Sequence, residues 1–171
     1  VTYKPNGRIV DRAVELWMGF LSDPQYENGD RGQASVMAGQ MAQMTPKNNT
    51  PDKLRRFADE LRVLLMNPGA ENGLSEYDAM ILHSDYGPSV ALEMAALRSG
   101  LKMLFPWKTS LCIYEDHLSV RAGYGADHVF HYPLKDGRWL VARLEGEDVA
   151  KVVALVEAGV ITPELEPGKV H

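Results

Sequence analysis

The side chains best suited to proton transfer, metal ligation or nucleophilic attack are five histidines, His83, His117, His128, His131 and His171, and the single cysteine, Cys112. His128 and His131 look like a ligand pair. On a strand, residues three apart point to opposite faces, so they chelate one ion only if the strand is broken between them. Zinc also needs a third and usually a fourth ligand, and the spacing of His83 and Asp85 does not require either to supply one. No metal or other cofactor is expected.

Cys112 stands mid-strand between Leu111 and Ile113. A catalytic thiol needs a base in reach and a lowered pKa, so here it reads as a small buried hydrophobe. His83-Ser84-Asp85 and Asp116-His117 resemble acid/base pairs. Side chains of sequence neighbours generally diverge, and Asp116-His117 is most simply a hairpin turn. The chain has no Gly-x-Ser-x-Gly elbow, Walker loop or His-Glu-x-x-His helix. Gly123-Tyr124-Gly125 is too short for a dinucleotide fingerprint and precedes a strand, so it reads as turn glycine. No catalytic residue is assigned, and the reading leans away from an enzyme.

Aromatic residues concentrate between positions 86 and 139: Tyr86, Phe105, Trp107, Tyr114, Tyr124, Phe130, Tyr132 and Trp139. Core packing explains much of this. Tyr124 falls in a turn and Trp107 at a strand entrance, which makes them the aromatic candidates for a binding surface. If a pocket exists, it gathers Trp107, Tyr124, Arg121 and His128, with His83 and Asp85. Arg121 would hold an anionic group, and a histidine would supply acid/base chemistry near neutral pH.

The elements that must position these groups are an antiparallel meander and a set of helices. Four apolar segments, 109–115, 118–122, 128–134 and 138–144, are rich in β-branched and aromatic residues and separated by Gly/Asp turns. Pro133 lies in the third of these, next to the turn at 135–137, where pairing has ended. Before the meander the pattern is helical. Residues 8–21 carry Ile9, Val10, Val14, Trp17, Phe20 and Leu21 on one face. Residues 31–44 carry a stripe of Met37, Met41 and Met44, read as core packing; the other reading is an adaptable groove. Thr50, Pro51 and Asp52 open a third helix, with Leu54, Phe57, Leu61, Leu64 and Leu65 inward, ending at 67–69. Residues 74–85 fit either a helix capped by Ser75 or an irregular connection. Residues 88–99 read as a helix apolar on most sides, closed by Gly100 and Leu101. A last helix, 148–158, presents Val149, Val152, Val153 and Val156, and 162–171 is a loose tail.

This order indicates an α+β fold: a helical part (8–100) packed on a four-stranded antiparallel β-meander (109–144), with a C-terminal helix. All 171 residues are read as one globular domain. The composition, 45% hydrophobic and 24% charged, is globular, and the net charge is −5. No segment is basic enough to hold duplex phosphates, so direct nucleic-acid binding is not expected. No apolar run is long enough to span a membrane, no leader opens the chain, and a lone cysteine suits a reducing compartment. A soluble cytoplasmic protein is expected.

Apolar residues occur on both sides of the predicted strands. A sheet covered on one side alone shows cleaner alternation. Either the sheet curves around a helix, or its second face meets another surface: the remaining helices, a second subunit or a partner. The leading reading is a non-catalytic interaction or regulatory protein acting on a protein partner or as a homodimer. The alternative is a small-molecule binder or enzyme using the His/Arg/aromatic pocket.

Overall fold

In a computed structural model, residues 3–22, 49–67, 80–84, 87–102, 108–123, 126–143 and 147–160 are described. Helix α1 is Gly7–Ser22. Its first turn is held by Asn6, whose Oδ1 accepts from the Arg8 amide at 3.0 Å. Ile9, Val10, Ala13, Val14 and Trp17 are its buried stripe, recurring at the helical period. Helix α2 is Pro51–Met66. The Thr50 hydroxyl accepts from the Lys53 amide at 3.3 Å, Pro51 sits where no amide hydrogen is needed, and Asp52 faces the positive end of the helix dipole. Phe57, Leu61, Leu64 and Leu65 point inward.

Strand β1 is Met80–Ser84 and helix α3 is Val90–Ser99. Strands β2 (Thr109–Ile113), β3 (Leu118–Arg121), β4 (Val129–Pro133) and β5 (Trp139–Ala142) follow, then helix α4 (Glu147–Glu157). The sheet has five strands in the order β1-β2-β3-β4-β5, every neighbouring pair antiparallel. The fold class is α+β, as the sequence indicated. The strand count is corrected from four to five, because part of the 74–85 stretch pairs with β2. The segment 8–100 is therefore not wholly helical. Three apolar residues in succession, Met80, Ile81 and Leu82, mask the alternation that burial reveals, with Met80, Leu82 and Ser84 inward.

One face of the sheet carries Met80, Leu82, Leu111, Ile113, Leu118 and Val120 into the same core as α1, α2 and α3. His131 and Val141 continue this inner face, since Leu118 lies opposite His131 and His131 opposite Val141. Pairing of β3 with β4 stops at His131, so Pro133 removes no donor from that ladder and faces only Trp139 of β5.

Gly100 caps α3 in the left-handed region (φ 72°), and the Leu101 amide returns to the Ala96 carbonyl at 3.1 Å, with Leu101 buried behind the cap. Helix α3 is less enclosed than its composition suggested. Leu97 is 76% exposed and Val90 46%, so only one flank packs, against α2. In α4, Val152, Val153 and Val156 are half-buried. The expected helix at 31–44 and the tail at 162–171 lie outside the described residues. No helix among the described residues is long and apolar enough to cross a membrane.

Candidate functional site

The second face of the sheet is built by the residues that alternate with the core. The register arranges them in rows across the strands. The first row runs from His83 to Ser110 to Arg121, each directly opposite the next. The second contains Ile81, Cys112, Ser119, Phe130 and Ala142. The third contains Tyr114, His117, Tyr132 and Leu140. Tyr132 lies opposite Leu140, and the Tyr114 amide bonds the His117 carbonyl at 3.0 Å to close the β2–β3 turn.

The third row is the most organised. The His117 ring lies between two tyrosines, 4.3 Å from Tyr114 with planes 8° apart and 5.0 Å from Tyr132 with planes 9° apart. Its Nδ1 is 2.6 Å from Asp116 Oδ1. A carboxylate oxygen accepts, so Nδ1 is the donor of this contact. Nε2 bonds to no other group among the described residues.

Opposite this row, α4 presents Ala150, Val153 and Ala154. Between them runs an open groove of about 700 Å³, lined also by Phe130 and Pro133, in which Asp116 is the one acidic or basic lining residue among the described residues, His117 apart. The far end of α4 is tied down by the Lys135 amide, which donates to Glu157 Oε1 at 2.9 Å. The small side chains of Ala150 and Ala154 leave room above the tyrosines.

Of the pocket residues expected from sequence, the three that are described, His83, Arg121 and His128, do not line this groove. His83 is exposed on the outer face of β1, its backbone pinned by Ser89, whose amide donates to the His83 carbonyl at 2.8 Å. Arg121 is exposed in the same row, two strand spacings or about 10 Å away, with Ser110 between them. That row lies about 13 Å along the strands from His117. His128 is exposed just before β4, with its Nδ1 3.3 Å from the Ser119 hydroxyl. It lines an open hollow of about 310 Å³ with Asp127, Phe130 and Arg143, in which Arg143 pairs with Asp127 at 3.5 Å. Neither hollow includes His83 or Arg121. Trp107, Tyr124 and Asp85 lie outside the described residues.

His128 and His131 do point to opposite faces, as strand geometry requires. His131 is 4% exposed in the core, and burial, reinforced by the neighbouring Arg12 guanidinium, pushes its pKa down to about 3. Its Nδ1 faces Arg12 Nε at 3.3 Å. Arg12 also lies over the Trp139 ring at 5.1 Å, with Arg8 at 5.2 Å from the same ring, so this cluster is a structural joint. Cys112 is half-buried on the outer face, and burial raises its pKa, which keeps it a thiol. No group of three or more His, Cys, Asp or Glu among the described residues is placed to hold a metal ion.

Sequence reasoning missed the His117 cluster because it treated Asp116-His117 as a turn. It is one, and the turn itself swings the carboxylate onto the ring. A usable signal was present: His117 and Tyr132 fall in one cross-strand row once the register is set by Leu118 and His131. No family model, curated protein or solved structure matches this chain.

Proposed function

We propose that the protein is a non-catalytic interaction module that receives a short segment of a partner protein in the groove between the Tyr114–His117–Tyr132 stack and α4. The groove itself carries this reading. One wall is aromatic and the other is a helix with small side chains. Small-molecule sites bury most of the ligand's surface, whereas this groove is open to solvent and suits an exposed chain segment. Aromatic side chains with a polar end are favoured at such contacts. A reducing cytoplasmic setting suits the lone thiol Cys112 on the same face.

The test is selection of binding segments from a display library of short random peptides, followed by NMR titration of the recovered peptides. Binding should shift the ring signals of Tyr114, His117 and Tyr132 and the methyl signals of Ala150 and Ala154. Ala154→Trp fills the groove from an exposed helix position and should weaken binding more than about tenfold. Peptides that bind the variant equally well, or a concentration-dependent dimer that Ala154→Trp abolishes, would overturn the proposal. The dimer would assign the groove to a second copy of the chain.

A further inference from the structure

We propose that residues 31–44 form a helix that packs its methionine stripe along the open flank of α3. Helix α3 is apolar on most of its circumference, yet one flank alone is enclosed. Ala91, Leu92, Ala95 and Ala96 are buried, and Arg98 reaches Glu60 of α2 at 3.6 Å. Val90, Met94 and Leu97 form a second stripe at i, i+4 and i+7, the spacing of one helix face. Met94 is half-buried, Val90 is 46% exposed, and Leu97, at 76%, is the most exposed large hydrophobic side chain among the described residues. Such a stripe stabilises the protein only when it is removed from water.

The occupant is indicated by where the chain re-enters. Residues 23–48 lie outside the described residues, and Asn49 is the first described residue after them. Asn49 is fastened just past the end of α3. Its Nδ2 donates to the Lys102 carbonyl at 2.8 Å, and its Oδ1 accepts from the Lys102 amide at 3.0 Å. Counted back from this pair, the two stripes fall at the same offsets. Met44 and Leu97 stand five positions before Asn49 and Lys102, Met41 and Met94 eight, and Met37 and Val90 twelve. Two helices running side by side toward one fastening bring these stripes into register. Five residues span at most about 18 Å, which keeps Met44 near the C-terminal end of α3. Fourteen residues of helix are about 21 Å long, enough to follow the roughly 15 Å of α3.

Methionine suits the contact because an unbranched thioether fills irregular gaps between neighbours. A second copy of the chain is the poorer occupant. Three side chains on so short a helix fall far below the roughly 800 Å² per partner of a standard interface, and a tethered segment competes at a high effective concentration. Helix α3 packs on the core side of the sheet and the groove lies on the other, so the two contacts stand or fall separately.

The experiment is methyl NMR on the whole protein with labelled Met, Leu and Val side chains. Methyl–methyl contacts should join Met44 to Leu97 and Met37 to Val90, and should persist on dilution. A soluble gadolinium chelate should broaden Leu97 less than Leu155, the reverse of their order of exposure, 76% against 42%. Leu97→Asp, at an exposed position, should shift the Met37, Met41 and Met44 signals and leave those of Met18, Met66 and Met80 in place. Absence of the Met44–Leu97 and Met37–Val90 contacts would overturn the proposal. Contacts that appear only between differently labelled copies would also overturn it and assign the face to a dimer. Leu97 signals broadened more than those of Leu155 would overturn it and leave the face open to a partner.

Discussion

Replacing His131 by glutamine tests whether a histidine in this core is held neutral. His131 is 4% exposed, faces the Arg12 guanidinium, and has its pKa pushed down to about 3. In the unfolded chain the same ring titrates near its ordinary value of about 6.5. The folded value is the lower one, so between these pH values the unfolded state holds more protons. Stability is therefore full above about pH 6.5, falls as the pH drops, and stops falling below about pH 3. At about pH 5 the ring accounts for roughly 2 kcal/mol of lost stability relative to about pH 7.5. Glutamine keeps an acceptor for Arg12 and cannot take up a proton in this range. The assay is urea unfolding across that pH range, followed by tryptophan fluorescence, with Trp17 fully buried as a reporter. The variant should start somewhat less stable and lose about 2 kcal/mol less than the parent on acidification. The other histidines are common to both proteins and cancel in the comparison. Parallel loss in the two proteins would refute the reasoning.

Three further outcomes follow from the helices. Arg12→Ala should cost about 2–3 kcal/mol in denaturant unfolding, because it removes the contact with His131 and the cover over Trp139. Glu15→Ala should cost less than about 0.5 kcal/mol, since Glu15 is 71% exposed and 3.6 Å from Arg12. Gly100→Ala should lower stability by about 1 kcal/mol through the left-handed φ of 72° alone, because an added Cβ meets nothing within 4 Å. A thermal unfolding midpoint unchanged from the parent would contradict that account.

What the sequence made legible was local chemistry. Thr50-Pro51-Asp52 and Gly100-Leu101 are terminus signals that depend on few neighbours, and both caps formed as read. Turn residues around Asp116, Gly123 and Gly137 delimited β2 to β5, although each strand is shorter than its apolar run, because pairing ends before the β-branched and aromatic residues do. β1 was hidden because its identity as a strand comes from β2, whose partner residues lie 25 (Ser84 to Thr109) to 33 (Met80 to Ile113) positions later, and not from its own pattern. The groove was hidden for a related reason. Tyr114, His117 and Tyr132 meet only when two hairpin registers are known, and the helical wall comes from a separate segment. Arg121, His83 and His128 were recognisable as polar residues among strands, but their row assignments set His83 and Arg121 at one end of the face and His128 against Arg143.

The joint between α1 and the last hairpin also bears on how the chain is made. Arg8 donates to the carbonyls of Leu134 and Arg138, which lie 126 and 130 positions later, and Arg12 meets His131 after a gap of 119. A ribosome adding about 5–20 residues per second needs roughly 6–25 s to supply those acceptors. Through that interval α1 can lay Ile9, Val10 and Trp17 against α2, but both guanidiniums remain in water. The first helix is therefore synthesised well ahead of its last fastenings, and its final bonds form only when the β4–β5 turn has emerged.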